Sequence, residues 1–100
     1  MIYKEIVHTC SNSYVADAAV ISIGGEIAKV LADNANRNAM TRGDYAAMLV
    51  RDFASHASDG DQRGVAAAAR GSEQPVLSGL LYILERGVAP ETAWMGRQRI

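Results

Sequence analysis

The run ISIGGEIAKVLADNANRNAMTRGDYAAMLVRDFA, residues 21–54, decides the fold. Just before its Gly24-Gly25 break, Ala19, Ile21 and Ile23 fall on one side of an extended chain and Ala18, Val20 and Ser22 on the other. The segment is short and β-branched, so it reads as a strand. From Glu26 onward, Ile27, Val30, Leu31 and Ala35 recur at helical spacing, which predicts a helix ending near residues 37–39. Thr41-Arg-Gly-Asp44 has the form of a capping box: the Thr41 hydroxyl accepts from the backbone near Asp44, and the Asp44 carboxylate reaches back. A second helix starts there, with Tyr45, Met48, Leu49 and Phe53 as its apolar stripe, and Asp44 suits its positive N-terminal end. Residues 19–57 therefore read as a strand followed by two amphipathic helices.

Working outward, Ile2 to His8 reads as an extra strand or an arm, and Cys10-Ser-Asn-Ser13 as a turn. On the other side, Ser58-Asp-Gly-Asp61 is dense in turn formers and reads as a break. Gly64 to Arg70 then predicts a short alanine-rich helix. Ser72 caps a stronger one through Arg86, with Pro75 in its first turn and Leu77, Leu80, Leu81 and Leu84 facing inward. Gly87 stands where a helix needs a left-handed end, and Pro90 can open a last turn carrying Trp94 and Met95. The chain divides into an N-terminal arm at 1–17, a central unit at 18–57 and a C-terminal helical extension at 58–100.

Composition narrows the function classes. Apolar residues make up 49% but aromatics only 6%, so the core rests on a few aliphatic positions and a partner chain would help to close it. Ten Lys and Arg stand against eleven Asp and Glu, so no global field draws the chain to nucleic acid or an acidic membrane. A single cysteine, Cys10, excludes an intrachain disulfide. MIYKEIVHTC lacks the pattern of a signal peptide, and no apolar stretch approaches the roughly 18 residues of a membrane span. The expectation is a cytoplasmic protein with no membrane association.

With its strand, two-residue break, helical spacing and Thr41 cap, residues 18–57 resemble the ribbon-helix-helix family of MetJ- and Arc-like DNA-binding proteins. The resemblance implies a mostly α fold with a short β element: a β-α-α intertwined homodimer, here with added C-terminal helices. It implies that paired strands form a ribbon in the major groove of double-stranded DNA, and that the start of the second helix holds a phosphate. Carried across, Ala18, Val20 and Ser22 are the groove-facing positions, and Thr41, Arg42 and Gly43 the phosphate clamp. The function so implied is a small dimeric DNA-binding regulator, a repressor or accessory protein of a phage, plasmid or toxin-antitoxin operon.

The residues also support a second reading. Across 18–57 the cations Lys29, Arg37, Arg42 and Arg51 are cancelled by Glu26, Asp33, Asp44 and Asp52. Ala18 and Val20 offer base edges only methyl contacts, and an apolar outer face calls for something to cover it. Residues 2–8 folded back as a hairpin would cover it, as would a C-terminal helix or a protein partner. The alternative is thus a non-enzymatic interaction module, antitoxin-like or a phage-encoded inhibitor. His8, Cys10 and His56 do not make a convincing metal or catalytic set, and Gly24-Gly25 lacks the lysine and spacing of a phosphate loop. Arg97 and Arg99 could touch nucleic acid, but cations ordinarily gather at a helix C-terminus. No cofactor is expected.

Overall fold

The computed structural model describes residues 2–97, and side chains for residues 3–87. Six helices follow one another: α1 (Ile2–Cys10), α2 (Ser13–Ile23), α3 (Gly25–Arg37), α4 (Arg42–His56), α5 (Asp59–Arg70) and α6 (Pro75–Arg97). No strand occurs among the described residues, which overturns the β-α-α ribbon reading.

The correction centres on α2. Asn12, read from sequence as part of a turn, is its N-cap: the side-chain oxygen accepts from Tyr14 N at 2.9 Å and Val15 N at 3.1 Å. Ala16, Ala19 and Val20 are buried and Ile23 packs against the same core, an i, i+3, i+4, i+7 stripe. The helical period was concealed because the opposite side also carries Tyr14, Val15, Ala18 and Ile21. A segment apolar all round shows no periodicity, and its β-branched residues then read as strand.

Residues 2–8 are likewise helical, neither strand nor arm. Tyr3, Ile6, Val7 and Cys10 face the core at helical spacing, and Arg51 donates to the Ser11 carbonyl at 2.8 Å just past the helix end. The two central helices fall where the sequence places them. Between them Met40 N bonds Ala35 O at 2.9 Å and Ala39 N bonds Asn36 O at 3.1 Å, the Schellman pattern, which holds Ala39 at φ 56°. The Thr41 cap forms as expected, with Asp44 N donating to Thr41 Oγ1 at 3.1 Å.

The complete capping box lies instead at Ser58 and Asp61, which satisfy each other's backbone N–H groups at 3.1 and 3.3 Å. Helix α5 consequently starts at Asp59, inside the stretch read as a break. Pro75 occupies the first position of α6, and that helix continues through Gly87 and Pro90 to Arg97; Gly87 does not end it. The side chains of Trp94, Met95 and Arg97 and the whole of Arg99 lie outside the described residues.

All six helices contribute to one core, which includes Ile6, Val20, Leu31, Val50, Val65, Leu80, Ile83 and Leu84. Helix α4 is its central rod: Tyr45, Ala46, Ala47, Leu49 and Val50 are all buried. Helices α2 and α4 form the most extensive pairing, followed by the α5–α6 hairpin. Glycines permit the close approaches. Gly79 lies under Ile6, Gly64 under Tyr82, and Gly43 against the first turn of α2. No described helix is long and apolar enough to cross a membrane.

Candidate functional site

The six residues expected to contact DNA occupy three different environments. Ala18 and Ser22 lie on the exposed side of α2, whereas Val20 points inward and is completely buried. A helix turns about 100° per residue, so positions that alternate on a strand are scattered around it. Thr41, Arg42 and Gly43 do sit together at the start of α4, but their groups are committed to capping α4 and packing it on α2. Thr41 Oγ1 caps Asp44. The Arg42 guanidinium forks onto Asp17, Nε to Oδ1 at 2.6 Å and an Nη to Oδ2 at 3.3 Å. This hydrogen bonding raises the Arg42 pKa further above neutrality and keeps its charge matched by an aspartate. Gly43 is buried, and a Cβ there would stand 2.5 Å from the Ser13 carbonyl oxygen.

Ser13 completes this junction by donating to Asp44 Oδ1 at 2.6 Å. The Asp44 carboxylate therefore holds α2 rather than reaching back to cap its own helix. Beside the junction is an open groove of about 470 Å³ lined by Ser13, Tyr14, Asp17, Thr41, Arg42, Gly43 and Asp44. Its lining carries the hydroxyls of Ser13, Tyr14 and Thr41, the carboxylates of Asp17 and Asp44 and the Arg42 guanidinium, but no imidazole. A second groove, of about 340 Å³, runs past Leu49, Asp52, Phe53, His56, Asp61 and Arg86. His56 Nδ1 stands 3.8 Å from Asp52 Oδ1, and both side chains are largely in solvent. Arg86 donates to the Tyr82 hydroxyl at 2.8 Å and lies 3.4 Å from Asp61. The Ser13 hydroxyl and the His56 imidazole are thus in separate grooves, and the partner of Ser13 is the Asp44 carboxylate.

Cys10 is closed off as well. It is fully buried, and desolvation pushes its thiol up to about 11. His8, two residues away, is exposed. Among the described residues no group of three or more His, Cys, Asp or Glu side chains is placed to hold a metal ion.

The most unusual surface is the outer side of α2. Tyr14 is 88% exposed, Ile21 58% and Val15 38%, and Ala18 lies between them. Tyr14, Ala18 and Ile21 are spaced by four and three residues and fall within an arc of about 60°. Asp17 is the only charged residue from Ser13 to Ile23, and Arg42 neutralises it at the flank. A contiguous uncharged apolar strip of this kind is costly to leave in water and marks a docking surface more often than isolated exposed hydrophobes do. The signal was available in the sequence: plotted at helical pitch, Ser13 to Ile23 separates the buried Ala16, Ala19, Val20 and Ile23 from these outward residues. Comparison of the chain with protein-family models, curated proteins and solved structures gives no match.

Proposed function

We propose that the chain is a non-enzymatic protein–protein interaction module that docks through the outer side of α2. The observation that carries this reading is the exposed Tyr14-Ala18-Ile21 strip on a helix whose other side is fully used by the core. A helix presented this way meets a partner through anchors at i, i+4 and i+7, with the tyrosine supplying a large contact area at low entropy cost. The balanced charge fits a protein surface better than a polyanion, since DNA affinity rests on several neutralised phosphates. The ribbon role of Ala18, Val20 and Ser22 is not carried forward, because it required a strand.

The test is to replace Tyr14 with a photo-crosslinking phenylalanine analogue in the cells from which the gene derives. Irradiation should give a discrete protein adduct, while the same analogue at exposed Glu85, on α6, should not. A folded Tyr14 variant that forms no protein adduct, or one that cross-links only to nucleic acid, would overturn the reading.

A further inference from the structure

We infer that the occupant of this face is a second copy of the chain, packed antiparallel on α2 across a two-fold axis near Ala18; this rests on the docking role proposed above. Three features of α2 support a self-complementary contact.

The first is symmetry of size. Tyr14 and Ile21 are the two most exposed large apolar residues of the chain's described part, and Ala18 sits near the midpoint between them. Seven residues of helix span about 10 Å, so in an antiparallel pair Tyr14 of each copy lies beside Ile21 of the other. The small Ala18 side chains let the two backbones approach at the crossing. The 4-3 spacing is that of a coiled-coil seam, with Val15 and Ser22 beside it. At the C-terminal end Gly25 has nothing within 4 Å of where a Cβ would stand, which leaves room for the partner's tyrosine ring.

The second feature is charge. In a two-fold interface residues near the axis meet their own kind, so any formal charge there would face a like charge. The strip has none, and the one charged residue of α2, Asp17, is paired with Arg42 at 2.6 Å. Antiparallel helices also set the positive end of one beside the negative end of the other.

The third feature is area. A strip of this kind covers on the order of 300–600 Å² per copy, so a pair buries roughly 1,000 Å² in total, the lower end of specific interfaces. The dimer should accordingly be reversible, forming in the micromolar range and not at nanomolar concentration.

The test is sedimentation equilibrium on the full chain over a wide micromolar range. The wild type should pass from monomer to dimer. Ala18→Glu and Ala18→Lys should each weaken self-association more than about tenfold, because each places like charges across the axis. An equimolar mixture of the two should restore a dimer of one copy of each. Tyr14→Ser, which introduces no charge, should also weaken it, and unchanged circular dichroism would show that each variant keeps its fold. The inference is overturned if the wild type remains monomeric, if Ala18→Glu dimerises as the wild type does, or if the mixture associates no better than its components. A monomeric wild type whose Tyr14 cross-links to a different protein would remove the second copy and leave the docking role standing. A monomer that cross-links to no protein would remove both.

Discussion

Replacing Gly43 with alanine should destabilise the protein, although the same change in most helix interiors stabilises it. Gly43 lies in the first turn of α4 against the first turn of α2, and an added Cβ would meet the Ser13 carbonyl oxygen at 2.5 Å and Asp17 Cβ at 2.9 Å. One of those atoms is backbone, so relief requires α2 to move outward by roughly 1 Å. Overpacking of this kind costs about 1–3 kcal/mol. The shift also stretches the Arg42–Asp17 and Ser13–Asp44 hydrogen bonds, each 2.6 Å, whose partly exposed positions limit the added loss to about 1 kcal/mol. Against this stands the helix propensity of alanine over glycine, about 1 kcal/mol. The net expectation is a loss of about 2 kcal/mol, seen as a fall in melting temperature of roughly 10 °C for a domain of this length. Urea and thermal unfolding followed by circular dichroism would measure it. Gly60→Ala is the control: its Cβ would lie 3.7 Å from Ser58 Oγ, so the change should be neutral or stabilising by up to about 1 kcal/mol. If Gly43→Ala stabilised the protein as Gly60→Ala does, α2 would not approach α4 closely at Gly43.

Two further outcomes follow from local chemistry. Ala39→Gly should stabilise the fold by about 1 kcal/mol in equilibrium unfolding, because φ 56° suits glycine and strains alanine at the end of α3. Cys10 should resist thiol reagents in the native protein and react only as it unfolds, its thiol being raised from 9.0 to about 11 by burial. The native state then holds a proton that the unfolded chain releases at lower pH, so stability should fall as pH rises from about 9 to about 11, by an amount approaching 2–3 kcal/mol. Comparing the pH slopes of wild type and Cys10→Ala isolates this contribution, and parallel slopes would contradict it.

The sequence was legible where one side of a helix was polar. Helix α3 announced itself through Ile27, Val30, Leu31 and Ala35, and α4 through the Thr41 cap, because Lys29, Asp33 and Asn36 on the outer side of α3 and Arg51 and Asp52 on that of α4 left the period visible. In α2 the period was hidden by Tyr14, Val15 and Ile21, which face solvent. The residues that defeated the secondary-structure reading are therefore the ones proposed to dock a partner. The apolar face expected at Ala18 and Val20 of a strand does not form: Val20 turns into the core, and Tyr14 and Ile21 take the outer positions of a helix. Two capping signals were read as turns, Asn12 before α2 and Ser58 with Asp61 before α5, since the same short polar side chains serve both purposes. Buried Asn34 and the alanines of α4 carry no hydrophobic signal strong enough to mark them as core.

The central claim is that Ser13 to Ile23 is a helix with its apolar outer side in reach of a partner. Nuclear magnetic resonance of the isotope-labelled chain tests it most directly. Helical Cα shifts and i, i+3 contacts from Ser13 to Ile23, with Tyr14, Ala18 and Ile21 broadened by a soluble paramagnetic probe at low concentration while Val20 is spared, are the expected result. Extended-chain shifts with cross-strand contacts between two copies over residues 18–23 would contradict it.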